Sequence, residues 1–346
     1  MEQLVPATAL ETFRKRCKNV IDVRSPAEFA EDHMAGARNI PMLTDAQRAE
    51  IGALHRQNPF QARKKGAGYV VAAISRFLET PLMRQATRQE GFLVYCARGG
   101  QRSGALSTVL SQIGLPVFRL EKGYKTYRTY VSGLLQQALP QPVFVLYGYT
   151  GSQKTKLLQR LADRCNVLDL EACARHRGSL LGELPGIAQP IQRAFETALV
   201  ENLRGFDPQR PTLVEGESRR IGAREVPRGI WRQMKLAQPI WLNIPRETRT
   251  RTILVDYAEL CDSAFLLPRL ERLSPYISAK LRAELRDLAS SGQWHQLVHL
   301  LLTHHYDPLY EKIRKRHKMK EIHADDPELG LQELAAFIQD AQHHVG

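Results

Sequence analysis

Two short stretches of this sequence carry residue types that do chemistry at close range: "VYCARGGQRS" (94–103) and "GYTGSQKT" (148–155). In the first, an apolar run ends in Cys96 and leads through Gly99 and Gly100 into a helix-like pattern. At such a strand–loop–helix junction, successive backbone N–H groups converge on the thiol and the helix dipole adds positive potential. That environment lowers a thiol pKa and steadies an anionic sulfur adduct. Gly99 and Gly100 allow cradle dihedrals that other residues resist. Arg98 and Arg102 can pair with an incoming anion, and Ser103 falls where a helix N-cap belongs. The plain alternative, a buried strand-end cysteine, leaves the glycines and arginines unexplained.

The second stretch follows the apolar run "VFVLY" and fits G-x-x-x-x-G-K-[ST], except that Gln153 stands where the second glycine belongs. Backbone N–H groups of Gly148, Thr150, Gly151, Ser152 and Gln153 would wrap a phosphate, Lys154 would neutralise it, and Thr155 would help hold Mg²⁺. A side chain at 153 crowds the cradle but leaves the lysine in place, so nucleotide hydrolysis is weakened more than phosphate binding. "TLVEGE" (212–217) reads as the acidic strand end of such a fold, making Glu215 or Glu217 the metal or water contact. Asp169 and Glu171 follow another strand and point to the same crevice, where Arg175, His176 and Arg177 can meet diphosphate or RNA.

The elements that must position these loops alternate between strands and helices. "NVIDVR", "FLVYC" and "VFRL" read as strands, "SPAEFAEDHMAG" and "SGALSTVLSQIG" as helices, and "KGYKTYRTYV" as a basic, aromatic tail. After a polar, proline-containing linker, "QQALPQPV", the alternation restarts with "VFVLY", "NVLDL", "TLVEGE" and "IWLNIP". Beyond Pro245 the pattern becomes mostly helical and basic. The expectation is an α/β chain in two domains, 1–135 and 141–346, each on a parallel sheet, the second with a helical C-terminal extension.

Composition narrows the function classes. The 49 Lys and Arg against 36 Asp and Glu give a net charge of +13 that is spread along the chain. Such an excess favours a polyanionic partner such as nucleic acid. The run "RKRHKMK" (314–320) and the arginines of 204–251 are candidates for phosphate contacts, and Tyr124, Tyr127 and Tyr130 for stacking on bases. Residue by residue, a solvated face is the commoner outcome. The 5 cysteines show no C-x-x-C pair, which argues against a disulfide framework or zinc site and for a reducing, cytoplasmic setting. Cys165, Cys173 and Cys261 read as bystanders and His33 as structural. No apolar run nears the ~20 residues of a membrane span.

"VIDVRSPAEFAEDHMAGARNIP" and "LEKGYKTYR", with the cysteine loop, resemble a rhodanese-type sulfurtransferase domain over about residues 10–130. The resemblance implies that Cys96 carries a persulfide. Cys96 to Arg102 is one residue longer than the usual sulfurtransferase loop, a wider cradle that points away from simple thiosulfate transfer and towards a larger anion or heavier chalcogen. Joined to the phosphate loop, and with "DLEACARHRGSLLG", "EGESRRIG" and "HHYDPLY", the chain resembles the tRNA 2-selenouridine synthase family. That resemblance implies a transferase acting on tRNA with 2-thiouridine at the wobble position. It implies selenophosphate and geranyl diphosphate as co-substrates, with Mg²⁺ at Thr155 and Glu215. Lys154 would then assist pyrophosphate departure, and Cys96 and Arg102 would deliver selenium, Cys96 as a selanyl carrier. The competing readings are a nucleotide-regulated sulfurtransferase and a non-enzymatic tRNA-binding module.

Overall fold

The computed structural model describes residues 2–179, 182–184, 186–256, 258, 261–315, 318–324 and 327–343. The chain divides into two compact units, Met1–Leu135 and Gln136–Gly346.

The first unit is built on strands β1 (Glu2–Val5), β2 (Asn19–Asp22), β3 (Arg38–Asn39), β4 (Phe92–Tyr95) and β5 (Val117–Leu120), in the order β1-β5-β4-β2-β3. Every pairing is parallel. β2 and β4 are buried along their whole length, as strands covered on both faces must be, so they show no polar alternation. Between the strands lie α1 (Leu10–Arg16), α2 (Pro26–Glu31), α3 (Asp45–Gln57), α4 (Pro59–Leu78), α5 (Pro81–Gln85) and α6 (Gln101–Gln112), and α7 (Tyr124–Leu134) follows β5. Ser25 and Glu28 form a capping box on α2, and Thr44 and Gln47 another on α3. Asn58 separates α3 from α4, accepting from the Gln61 N–H to start the second helix. The basic stretch around residues 56–66 is therefore helical and belongs to an αα-hairpin, and the aromatic "tail" is α7. The core gathers Ile21, Phe92, Val94, Phe77, Leu106 and Val117.

The second unit carries β6 (Val143–Gly148), β7 (Asn166–Leu168), β8 (Thr212–Glu215), β11 (Gln238–Asn243) and β12 (Lys320–His323), in the order β12-β11-β6-β8-β7 and again all parallel. β9 (Arg220–Ile221) and β10 (Arg224–Glu225) form a separate antiparallel ribbon. Around the sheet lie α8 (Lys154–Arg160), α9 (Leu170–Ala174), α10 (Gln192–Arg204), α11 (Arg228–Leu236) and α12 (Arg246–Asp256). Four further helices follow: α13 (Ser263–Leu270), α14 (Ala279–Ser290), α15 (Trp294–Leu301) and α16 (Asp307–Arg314). A wide turn over Leu302–Tyr306 joins the last two. The C-terminal region is not all helical: β12 returns to the sheet edge beside β11 before α17 (Pro327–His343) closes the chain. The short, half-polar run "KEIH" gives no strand signal alone; it pairs because β11 offers an open edge and Ile322 fills the core beneath α17.

In both units the central strand, β4 or β6, ends in a loop that enters a helix. Ligand crevices of open parallel sheets form at such strand ends.

Candidate functional site

Cys96 lies directly after β4 and is 3% exposed. Gly99 (φ +68°) and Gly123 (φ +57°) are in the left-handed region, and each sits where a side chain has no room. A Cβ at Gly99 would lie 2.3 Å from the Glu121 carbonyl oxygen, and one at Gly123 2.1 Å from that of Cys96. The 121–123 turn thus backs the cysteine loop, and the Tyr124 N–H donates to the Cys96 carbonyl at 2.7 Å. This is what the glycine of "LEKGYKTYR" does, a role that sequence reading missed.

Burial works against the Cys96 thiolate, but other effects outweigh it and the pKa falls below the ordinary thiol value. These are the Ser103 hydroxyl, the backbone N–H groups of Ser103 and Arg98, and the charge of Arg102. Ser103 donates to Cys96 Sγ at 3.2 Å. It does not cap the helix: Gly100 holds that station, and Ser103 lies in the first turn of α6, which aims its hydroxyl back at the sulfur. Other cysteines go the opposite way. Burial pushes Cys17 up to about 11, and Cys165 and Cys173 up to about 12. Arg102 pairs with Glu28 at 3.1 Å, where Arg48 also bonds at 2.8 Å. Burial opposes the Glu28 carboxylate, yet the two arginines hold its pKa down to about 2. Arg98 is exposed at the rim. The cleft holding Cys96 has a volume of about 1130 Å³ and is roofed by α3 and α4, through Ile51, Ala62, Arg63, Lys64 and Val70 among others.

Two motif residues of the first unit serve structure. Arg24 chelates Asp22 and lies 4.0 Å over the Tyr124 ring. His33 stacks on Phe29 at 3.8 Å and bonds its carbonyl. Tyr124 and Tyr127 are buried and so are removed from the stacking candidates, while half-buried Tyr130 donates its hydroxyl to Glu11. The helical period of α7 turns the aromatic stripe inward.

In the second unit the phosphate loop runs from Gly148 at the end of β6 to α8. Gly151 (φ +82°) presses on α12: a Cβ there would lie 2.8 Å from Ile253 Cδ1. Gln153 takes φ +56°, a conformation that favours glycine and explains the usual residue at this place. Its side chain does not crowd the cradle. Nε2 donates to Thr252 Oγ1 at 3.0 Å, an anchor on α12. Lys154 is buried, with Nζ on the Gly148 carbonyl at 3.1 Å. Thr155 Oγ1 donates to Glu215 Oε1 at 3.1 Å, and Glu215 Oε2 accepts from the Glu171 N–H at 3.0 Å.

The sequence singled out Glu215 for metal; the fold gathers Glu171, Glu215 and Glu217, with oxygens within 4.8 Å of one another. Burial and mutual repulsion raise the pKa of Glu215, as they do that of Glu171; burial raises that of Glu217 against the pull of Lys154. Gly178 is required here, because a Cβ would lie 2.5 Å from both Glu171 Oε1 and Glu217 Oε2. Buried carboxylates in this proximity call for protons or a cation, and hard oxygen donors beside a Thr hydroxyl fit Mg²⁺. Asp169 caps α9, accepting from the Ala172 N–H at 2.8 Å. His176 is buried in the same cleft with Arg175 and Arg177 along the wall.

The "HHYDPLY" block steadies the loop from behind. Asp307 holds buried Arg249 at 2.9 Å, and Arg249 donates to the Thr150 carbonyl at 3.1 Å. Arg249 is thereby removed from the phosphate-contact candidates. Arg246 and Arg314 are also in ion pairs, with Asp307 and Glu321. Arg220, Arg228 and Arg232 are exposed. Leu180 and Leu181 of the "DLEACARHRGSLLG" block, and Arg316 and His317 of the basic run, lie outside the described residues.

Fold and loops together define a two-domain α/β protein, a sulfurtransferase-type cysteine loop in one unit and a P-loop-type phosphate site in the other. Residues 6–130 match the rhodanese-like domain family, and residues 141–271 match the tRNA 2-selenouridine synthase AAA domain. The tRNA 2-selenouridine synthase of Cupriavidus necator is 32% identical, over 89% of this chain and 91% of that one. Proteins of the same name from Pseudomonas entomophila (31%; 86% and 87%) and Shewanella woodyi (29%; 89% and 91%) match similarly. The chain belongs to the tRNA 2-selenouridine synthase family. No helix among the described residues is long and apolar enough to cross a membrane.

Proposed function

We propose that this protein replaces the sulfur of wobble 2-thiouridine in tRNA by selenium from selenophosphate, through an S-geranylated uridine made with geranyl diphosphate. The carrying observation is the pairing, in one chain, of an acidified cysteine cradle with a lysine-and-carboxylate phosphate loop. The basic excess supports a tRNA substrate.

In the first step the thiocarbonyl sulfur attacks C1 of the geranyl group. A C–S bond forms, the C–O bond breaks, and pyrophosphate leaves. Backbone N–H groups of 150–155 and Lys154 stabilise charge developing on the leaving oxygens. Thr155, Glu215, Glu171 and Glu217 would hold Mg²⁺, which when bound adds positive charge at the leaving group. Nucleotide hydrolysis is not needed, in keeping with Gln153 anchored to Thr252.

In the second step selenium adds at C2 and geranyl thiolate departs, a far better leaving group than the thiocarbonyl sulfur was before its alkylation in the first step. Selenophosphate already holds selenium at the oxidation level found in the product. Water takes the phosphoryl group, and no oxidant enters. A selanyl-cysteine, as the rhodanese resemblance implies, would require a two-electron oxidation and a later reduction. We therefore assign the cradle of Arg98, Gly99, Gly100 and Arg102 to binding the selenophosphate anion, and Cys96, more acidic than an ordinary thiol, to protonating the departing thiolate.

The test is mass analysis of 2-thiouridine tRNA incubated with protein, geranyl diphosphate and selenophosphate, omitting each in turn. Geranylated tRNA should accumulate without selenophosphate, and nothing should change without geranyl diphosphate. Thiosulfate:cyanide turnover with no prenyl transfer would sink the proposal in favour of a sulfurtransferase.

A further inference from the structure

Beside the phosphate loop the second unit contains a narrow apolar cavity of about 90 Å³, against about 490 Å³ for the polar cleft over Lys154. Its walls are Ile253 and Leu254 of α12, Leu266 of α13, and Leu297, Val298 and Leu301 of α15, with Trp294 and Tyr306. Apart from Leu254, these side chains belong to or pack on the core of the C-terminal helices, so the cavity is a gap left between that core and α12. Close-packed interiors rarely leave such space unfilled, and an apolar void forfeits the contacts of its own lining. Water gains little there, since a buried water needs several polar partners.

Two observations tie the cavity to the phosphate site. Thr150 and Ser179 line both spaces. Ile253, a wall of the cavity, is the side chain against which Gly151 of the phosphate loop is pressed. A ligand filling both spaces has an anionic phosphate head and a slim hydrocarbon tail. The walls are mostly hydrocarbon, with Arg269 the one charged side chain among the lining residues.

We infer that the cavity walled by α12, α13 and α15 is the prenyl-chain pocket: it takes the end of the tail, about one isoprene unit at this volume, of the diphosphate whose head sits on Lys154, and its room sets the chain length used. This rests on the prenyl-transfer reading above and adds the location of the chain. It also gives Cys261 a place: among the described residues it lines this pocket.

Val298→Trp should fill the pocket from a half-buried position. Binding of geranyl diphosphate should weaken about tenfold or more, while inorganic pyrophosphate binds as in the wild type and dimethylallyl diphosphate is still transferred to 2-thiouridine tRNA. Unchanged geranyl binding would overturn the inference. Should Val298→Trp lose pyrophosphate binding through misfolding, Val298→Ala decides: the ratio of farnesyl to geranyl transfer should rise severalfold, and an unaltered ratio would overturn it. Wild-type protein that transfers no prenyl group from any of these diphosphates would bring down the underlying reading; wild-type transfer with both variants unaltered in chain preference would bring down the pocket alone.

Discussion

The cysteine loop and the phosphate loop are the same backbone device used for opposite ends. Each follows the central strand of a five-stranded parallel sheet and runs into a helix N-terminus. Around Cys96 the neighbours are donors and cations, and the thiol becomes more acidic. Around Lys154 they are three carboxylates made less acidic by burial and proximity. The backbone supplies affinity for an anion in both places. Side chains brought from elsewhere make the first surroundings cationic and the second acidic.

This contrast predicts a double dissociation, the largest effect expected. Lys154→Ala should slow geranylation by about 10²–10³-fold while selenium insertion into pre-geranylated tRNA survives. Cys96→Ser should leave geranylation intact and slow selenium insertion by about 10²-fold or more, so that geranylated tRNA accumulates. Mass analysis of the tRNA reads both, and equal loss of both steps in a folded variant would break the comparison.

Next in size is the cation. Millimolar Mg²⁺ should raise the melting temperature of the wild type by a few degrees through preferential binding to the folded state. Glu215→Gln should abolish the shift, whereas Cys96→Ser should leave it alone. A smaller effect distinguishes the thiol. Because folding lowers the Cys96 pKa, alkylation by iodoacetamide should proceed at a pH where an ordinary thiol is still protonated. Ser103→Ala removes a donor to the sulfur, so the reaction at pH 7 should slow severalfold and its midpoint move up.

The smallest effect concerns Glu28. Its folded pKa of about 2 lies below the ordinary carboxyl value, so its contribution to stability is present above about 4.5 and is lost as pH falls towards 2. Denaturant melts of Glu28→Gln should show a deficit at pH 6 that fades on acidification. A deficit independent of pH would mean that the pairing with Arg102 and Arg48 carries none of it.

Some of this was legible in the residues because it is local. Gly99, Gly100 and the strand before them mark a tight loop, and Lys154 with Thr155 marks a phosphate site wherever a strand precedes them. Other features had no local signal. Nothing near Arg102 in the chain shows that Glu28, 74 residues away, pairs with it. Tyr124 and Tyr127 read as stacking candidates until α7 turns them inward. Glu171 joins Glu215 and Glu217 only because β7 and β8 are adjacent in the sheet. Within "HHYDPLY" nothing shows that Asp307 props the phosphate loop through Arg249.

The sequence by itself determined the two loops, the alternating α/β plan and the polyanion-seeking charge, since each is set by residue type at short spacing. Tertiary structure alone decided which charges are already paired, which carboxylates are gathered beside Thr155, and where an apolar cavity opens next to the phosphate loop. Those are outcomes of packing, and they depend on distances between residues that the chain order leaves far apart.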